Sequence, residues 1–301
     1  MKKKSLLVAL LSISMGLVAQ DSESEKKWKT GGIASLNLSQ VSLSNWAGGG
    51  ESSVAANGLL SLFANYKEGD ISWDNSLEFG YGIVNQDGAT QKTDDRLSLS
   101  SKLGRKASEH WLYSAALDFR TQVAPGYETP AKEIEISDFL APAYNVLALG
   151  MDYKPSDNFS LFIAPLTHKL TIVTDQDLAN AGAFGVDPAE YNDLGELVKE
   201  GQNFRNEAGA YIKMTYKREI MENITFSTKL DLFSNYTEEP QNIDVNWETL
   251  IAMKVNEFID VNLTTNLIYD DDVAIVLNDA GETGPRTQFK QVLGVGVAYK
   301  F

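Results

Sequence analysis

The chain has 301 residues, of which 41 are acidic and 26 are basic, and it has no cysteine. The lack of cysteine excludes disulfides and thiolate metal sites, and the acidic balance argues against a nucleic acid as a partner. Because no stretch approaches about eighteen consecutive apolar residues, membrane-spanning helices are excluded, whereas a soluble secreted protein and a transmembrane β-barrel both remain open.

The N-terminus has the pattern of a secretory signal peptide. Lysines at positions 2–4 precede the apolar run Leu6–Val18, which is too short to span a bilayer, and Ala19 is a suitable cleavage site. We therefore expect a signal peptide over residues 1–19, a short periplasmic segment over residues 20–30, and the folded domain over residues 31–301.

Apolar and polar residues then alternate through about twelve segments, which predicts β-strands with one apolar face. The clearest is Trp111–Val123, and the last is Phe289–Phe301, which ends the chain on an aromatic residue. This ending resembles the terminal strand of bacterial outer-membrane barrels, which the barrel-assembly machinery reads. Tyr299 and Phe301 are therefore the predicted assembly signal.

The connections alternate between short turns, such as Lys67–Asp70, and longer links, such as Val84–Asp95 and His168–Asn203. Many strands are long enough to cross a bilayer at a tilt, and aromatic residues lie at both ends of their apolar faces. These features favour an all-β fold, a transmembrane antiparallel up-and-down barrel of about twelve strands with short periplasmic turns and long extracellular loops, over a soluble sandwich. Within the longest, acidic loop, Glu190–Lys199 is predicted to form a short helix.

The faces opposite the apolar ones carry charges, which predicts a hydrated or salt-bridged lumen because unpaired ions are costly in a dry core. Leu117 is expected to face lipid and its neighbour Ala116 the polar lumen, so arginine should be tolerated better at Ala116. The residues predicted to line the lumen and to set selectivity are Asp74, Glu78, Asp118, Arg120, Glu207, Lys213, Lys229, Asp231, Glu248 and Lys254.

The segment Leu36–Glu51, with its Asn45-Trp46-Ala-Gly48-Gly49-Gly50 sequence, resembles the opening of an uncharacterised barrel family of Bacteroidota, domain of unknown function 3078. Trp73–Leu77, Lys92–Arg96, Gly150–Pro155 and Pro165–Lys169 resemble it as well. The resemblance extends over nearly the whole predicted mature chain. It implies an outer-membrane location in that phylum, and it carries no catalytic or ligand-binding residues.

Three other features could form sites. The glycines at positions 48–50, with Asn45 and Trp46, permit either an inward-folded surface loop or a tight turn at the barrel rim. Asp270, Asp271 and Asp272 offer oxygen ligands for Ca²⁺, although their spacing lacks an EF-hand pattern and a solvated loop explains them as well. His168 could be approached by Ser160 or Asp175, but nothing in the spacing indicates a catalytic triad.

We therefore expect a monomeric barrel in the outer membrane of a Gram-negative bacterium, in contact with the lipid bilayer and the outer-membrane glycolipid. The first hypothesis is a narrow, weakly cation-selective channel for small polar solutes. The alternative is a non-conducting structural barrel, closed by salt bridges, that binds another envelope protein. An enzyme is the least supported class, and no cofactor is expected.

Overall fold

Twelve antiparallel strands close into a barrel in the computed structural model, which confirms the predicted fold class. The structure describes residues 27–42, 52–86, 88–128, 134–256, 259–276 and 282–301. The barrel strands are β1 Trp28–Val41, β2 Ser53–Glu68, β3 Ile71–Gln86, β4 Ala89–Lys106, β5 Trp111–Thr121, β6 Ala143–Ser156, β7 Phe159–Ile172, β8 Phe204–Met221, β9 Ile224–Asn235, β10 Asp244–Lys254, β11 Ile259–Tyr269 and β12 Gln288–Lys300.

Each strand pairs with the next along the chain, and β12 pairs with β1 to close the barrel. The first strand begins at Trp28, three residues before the predicted start of the folded domain. Because successive side chains of a strand point to opposite faces, pairing of this kind puts the apolar positions of all strands on one surface.

That surface is the outside of the barrel. Leu117 is 44% exposed whereas its neighbour Ala116 is 3% exposed, as alternation predicts for outward and inward positions. At the end of the barrel that carries the short turns, Trp28 packs against Tyr66 and Trp73 with ring centroids 5.2 and 5.8 Å apart. Aromatic residues at the edge of an apolar band are typical of barrels that lie in a membrane.

The connections differ at the two ends of the barrel. At one end they are short, as at Gly69 and Asp70, which join β2 to β3. At the other end, here called the loop end, most connections are long, and they contain the five-residue helix α1 (Gln176–Asn180) and the 3-10 turn Ala183–Gly185. The loop-end hairpins are Gly126–Tyr127 with Glu135–Ser137, Glu190–Tyr191 with Leu197–Lys199, and Ala274–Val276 with Thr283–Pro285.

Two details of these connections differ from the predictions. The link predicted over Val84–Asp95 is mostly strand, since β3 extends to Gln86 and β4 begins at Ala89. The helix predicted over Glu190–Lys199 is a hairpin, because Gly195 adopts a φ of 76° at its turn and Asn192 accepts hydrogen bonds from the amides of Leu194 and Glu196. No helix in the described part of the chain is long and apolar enough to span a membrane.

Strand β7 changes the phase of its alternation at a position within the barrel wall. In β7 the ladder with β8 passes from Ala164–Tyr211 to Thr167–Gly209, so an extra residue lies between Ala164 and Thr167 on the β7 side. Ala164 is fully buried, Leu166 is 65% exposed and Thr167 is buried again. This β-bulge turns the side chains beyond it by one position, so that the odd-numbered residues of the outer half of β7 face the lumen.

Candidate functional site

All ten predicted lumen residues lie on the inward face of the barrel, opposite the exposed apolar positions. Glu207, Lys213 and Asp231 are buried, whereas Asp74 and Glu78 retain about a third of their side-chain surface. Lys254 lies at the exposed end of β10. The roles of these residues in selectivity remain a prediction.

The middle of the lumen holds a network of ion pairs and hydrogen bonds. Lys213 Nζ lies 2.5 Å from Asp118 Oδ1, and it donates to Ser100 Oγ at 2.9 Å. Tyr211 donates to Asp231 Oδ1 at 2.6 Å, and Asp231 also lies 3.6 Å from Arg120 and 3.8 Å from Lys229. The network therefore links β4, β5, β8 and β9, which are not all neighbours in the sheet.

One ion pair spans the barrel. Arg96 Nη1 of β4 lies 2.9 Å from Glu248 Oε2 of β10, and Arg96 Nη2 lies 3.7 Å from Glu78 Oε2. Arg96 was not among the predicted lumen residues. The alternation of β4, with Leu97 and Leu99 pointing outward, would have placed it there.

A second layer of pairs lies toward the short-turn end. Lys102 Nζ lies 2.6 Å from Asp152 Oδ2 and 2.8 Å from Ser160 Oγ, which in turn donates to Asp152 at 2.6 Å. Lys154 Nζ lies 2.5 Å from Asp74 Oδ2. Because Asp152 is only 1% exposed, its negative charge depends on Lys102 and Ser160 for compensation.

A third layer lies at the loop end and contains the acidic cluster. Lys169 Nζ lies 2.6 Å from Asp244 and 3.8 Å from Asp270. The sequence did not predict Lys169 as a lumen residue, because the bulge in β7 reverses the side to which its side chain points. Burial raises the pKa of Asp270 above its ordinary value, although the positive charge of Lys169 opposes this shift. A pocket of about 220 Å³ beside this layer is lined by Asp271, Asp272 and other acidic residues.

The predicted Ca²⁺ ligands do not converge as a set. Asp270 and Asp271 lie close to Asp244, within a group whose oxygens are all less than 4.8 Å apart. Asp272 instead lies 2.8 Å from Arg205. A run of three adjacent residues cannot turn all its carboxylates toward one point, and Lys169 already supplies a positive charge between Asp244 and Asp270.

Apolar packing fills the space between these layers. Phe162 and Phe233 are buried on the inward face. They form one cluster with Tyr211 and with three small residues, Ala116, Ala148 and Ala164. Lys102 and Lys169 lie over the rings of Phe162 and Phe233 at 5.8 and 4.9 Å from the centroids. Ala116 therefore faces a packed interior and not water, which removes the reason given for expecting arginine to be tolerated better there than at Leu117. We call the inward face of β4–β10 the charged half of the lumen.

The inward face of the remaining strands has a different chemistry, and we call it the open half. It carries mainly small or uncharged polar side chains, many of them only half-buried. Its charged residues include Asp74, Glu78, Asp260 and Lys290, the last of which lies 2.6 Å from Asp94 of β4, and also Lys29 and Lys67 near the short-turn end. The inward residues in the middle of this half include Ser35, Asn37, Asn57, Ser61, Ser76, Asn262, Thr264, Asn266, Gly294 and Gly296.

His168 makes neither of the contacts, with Ser160 or with Asp175, that the sequence left open. His168 lies on the outer face with Nε2 3.1 Å from Asn206 Oδ1. Ser160 is bound to Asp152 in the lumen, and Asp175 caps helix α1 by accepting from the Leu178 amide at 2.8 Å. Neither can act on His168.

Two predicted features remain: the assembly signal Tyr299 and Phe301, and the surface-loop motif. Tyr299 faces outward and stacks with Phe301, with ring centroids 5.9 Å apart, and Phe301 forms backbone hydrogen bonds with Gly32 of β1. The surface-loop motif Asn45, Trp46, Gly48, Gly49 and Gly50 lies outside the described residues.

Comparison with known proteins gives a partial family match and several structures of similar fold. The translocator domain of the autotransporter NalP from Neisseria meningitidis has 9% identity and a TM-score of 0.37, over 93% of this chain and 90% of that chain. The NanC porin has 7% identity and a TM-score of 0.39, over 89% and 98%. An outer membrane channel from Pseudomonas putida F1 has 11% identity and a TM-score of 0.38, over 93% and 100%.

No curated protein matches the sequence. The model of the family described as "Protein of unknown function (DUF3078)" matches residues 38–127, from the end of β1 to the loop after β5. The predicted family resemblance is therefore confirmed over residues 38–127.

Proposed function

We propose that this protein is an outer-membrane barrel that provides a narrow, weakly cation-selective passage for small polar solutes. The supporting observation is the asymmetry of the lumen. Ion pairs and aromatic packing fill the charged half, whereas small, half-buried polar side chains line the open half. Hydroxyl and amide groups can replace part of the hydration shell of a small solute, so water and small solutes would follow the open half.

The weak preference for cations follows from the charges beside this path. Asp74, Glu78 and Asp260 are acidic. The basic residues Lys29, Lys67 and Lys290 lie toward the two ends of the same half, and Lys290 is paired with Asp94. Asp74 is paired with Lys154, and Glu78 lies 3.7 Å from Arg96, so much of the negative charge is compensated. A small net negative field would attract cations at low salt and would be screened at high salt.

Conductance of the purified protein in planar bilayers tests this proposal. We expect small, steady conductance with a reversal potential that favours cations and declines as salt rises. A silent bilayer with folded, inserted protein would reject the channel.

Single cysteines would locate the path, because the natural chain has none. In Ser61→Cys, on the open half, a charged methanethiosulfonate reagent should react and reduce the conductance. The matched control is Ser114→Cys, because Ser114 is 7% exposed and its Oγ has no hydrogen-bond partner within the described structure. Equal reaction of the two variants would contradict a path along the open half.

The alternative function is a closed barrel that binds another envelope protein, and two observations favour it. Arg96 and Glu248 join opposite sides of the lumen. At the loop end, the hairpin Glu190–Lys199 exposes Leu194 at 83% and Val198 at 65%. Exposed apolar residues on a projecting hairpin are suited to a protein contact. If the bilayer is silent, cross-linking from Leu194 in intact cells would test for such a partner.

We propose further that the location is the outer membrane of a Gram-negative bacterium of the Bacteroidota, with a monomer inserted by the barrel-assembly machinery. Residues 1–19 would direct secretion, and the outward apolar face would contact phospholipid and, at the loop end, glycolipid. Membrane fractionation with and without residues 1–19 tests the location. Protein that lacks these residues should stay in the cytoplasm.

A further inference from the structure

The seam between β1 and β12 is the shortest pairing in the barrel. Its ladder joins Ile33–Asn37 with Gly296–Lys300, and hydrogen bonds of 2.9 and 3.2 Å between Gly32 and Phe301 extend it toward the short-turn end. All other neighbouring strands are joined by ten or more ladder pairs.

Both strands continue beyond this ladder. In the described structure, Leu38–Val41 pairs only with β2, and Val292–Val295 pairs only with β11. Continuing the register would place Leu38 opposite Val295 and Val41 opposite Val292. Backbone groups on these facing edges have no ladder partner across the seam, and hydrocarbon cannot satisfy them.

The two sides of this gap differ in polarity. On the outward face, Leu38, Leu293 and Val295 are 64%, 66% and 55% exposed. On the inward face, the gap is bordered by Ser39 and Gly294, which are polar or small. The unpaired segments therefore present an apolar surface on the outside of the barrel and a polar surface on the lumen side, separated by the thickness of one strand.

A polar atom beside the gap also lacks a partner. Asn37 Oδ1 is buried without a hydrogen bond among the described residues, and it faces the two glycines of β12. A β-carbon at Gly294 would lie only 2.9 Å from Asn37 Cγ, so glycine allows the Asn37 side chain to approach β12 this closely. The Asn37 oxygen would therefore gain a hydrogen-bond partner if the seam opened and a polar group entered beside it.

The gap adjoins the open half of the lumen, of which β12 and β1 are the central strands. The outer part of β12 is held from inside, since Lys290 Nζ lies 2.6 Å from Asp94 of β4. This contact ties β12 to β4 from inside the lumen and does not involve the edge of β12 that faces β1.

We propose that the gap between Leu38–Val41 and Val292–Val295 is a lateral opening for small amphipathic molecules that have one polar head and one apolar chain. The head would lie against Ser39 and Asn37 while the chain crosses between Leu38 and Leu293 into the surrounding hydrocarbon. This inference rests on the proposed membrane location and open half of the lumen, and it adds a route from that lumen into the bilayer.

Cysteine accessibility in liposomes tests the opening. Ser39→Cys lies in the unpaired part of β1, and Ser35→Cys is its matched control on the same strand and face, in the paired part opposite Ala298. The probes are N-decylmaleimide dissolved in the bilayer, which is itself a polar head on one apolar chain, and a charged methanethiosulfonate in water.

We expect the aqueous reagent to modify both variants and N-decylmaleimide to modify Ser39→Cys several-fold faster than Ser35→Cys. Equal rates with N-decylmaleimide would overturn the lateral opening. Failure of the aqueous reagent on Ser35→Cys would instead contradict the water-filled open half, so the two proposals fail separately.

Hydrogen exchange on the unmodified protein in nanodiscs gives a measurement that needs no variant. Amides of Leu38–Val41 and Val292–Val295 that point into the seam should exchange several-fold faster than those of the paired segment Gly296–Lys300. Equal protection of the unpaired and paired segments would show that the seam is closed and would overturn the proposal.

Discussion

Arg96 and Glu248 form an ion pair of 2.9 Å although their strands, β4 and β10, are six strands apart in a barrel of twelve. The pair therefore crosses the full width of the lumen. It joins the two opposite walls and compensates the charge of both groups.

Removal of carboxylates at this contact should change ion selectivity. In the double variant Glu78→Gln and Glu248→Gln, Arg96 keeps its positive charge and loses both partners, so we expect cation conductance and the cation-to-anion permeability ratio to fall. The reversal potential across a salt gradient measures this ratio. The double variant Glu190→Gln and Glu196→Gln, on the exposed loop-end hairpin, is the charge-matched control. An equal fall in the permeability ratio there would contradict the role of Glu78 and Glu248.

Loss of Lys102 should destabilise the barrel. Lys102→Met leaves the buried carboxylate of Asp152 with Ser160 as its hydrogen-bond donor, and breaking a buried ion pair on one side costs about 3–5 kcal/mol. Unfolding by guanidinium chloride measures the change. Lys199→Met, which removes a solvent-exposed partner of Glu190, should change the stability little. Similar losses of stability in Lys102→Met and Lys199→Met would contradict the difference expected between a buried and an exposed ion pair.

Arginine scanning should distinguish the three environments of the wall. Leu117→Arg places a charge against lipid and should destabilise by about 2–4 kcal/mol near the bilayer midplane. Ala116→Arg should also destabilise, because Ala116 packs in the buried cluster with Phe162 and Tyr211. Ser61→Arg, in the open half, should be tolerated. A stable Ala116→Arg variant, measured by retention of heat-modifiable migration, would argue against the packed charged half.

Removal of Tyr299–Phe301 should prevent barrel closure. The hydrogen bonds between Phe301 and Gly32 and the ladder pairs of Tyr299 and Lys300 are a large share of the short β1–β12 seam. Without them both strand edges are exposed, and lipid cannot satisfy them. We expect unfolded protein in the periplasm, detected by protease digestion of intact spheroplasts. Protease-resistant, membrane-inserted protein would contradict this expectation.

The loop end should lose stability as the pH rises. Burial raises the pKa of Asp270, so its contribution is fully present below its ordinary pKa and is lost as the pH rises through the raised value. Asp270→Asn should therefore be more stable than the natural protein at neutral pH, and the difference should close in acid. Thermal unfolding of both proteins from acidic to neutral pH measures this difference in stability. A difference that does not change with pH would contradict the raised pKa of Asp270.

The period of two in the sequence was sufficient to predict the strands, their facing and the inward position of all ten charged residues. The same rule applied to β4 would have found Arg96 and Lys102. Lys169 could not be found in this way, because a one-residue bulge reverses the facing beyond Ala164. The partners across the lumen could not be predicted either, since they depend on how the closed sheet tilts and staggers its strands. The buried state of Ala116 follows from those same contacts.

The bulge in β7 also makes this strand sensitive to changes of length. A single extra residue between Ala164 and Thr167 determines which side chains face the lumen from Thr167 to Ile172. Deleting Leu166 would remove the bulge and restore strict alternation, with Lys169 and Thr171 still facing the lumen. Deleting a residue of the regular part beyond the bulge, such as Leu170, would instead turn Thr171 toward the lipid. Relatives of this protein should therefore vary at the bulge in residue type and in the presence of the extra residue, while conserving the number of residues from Thr167 to Ile172.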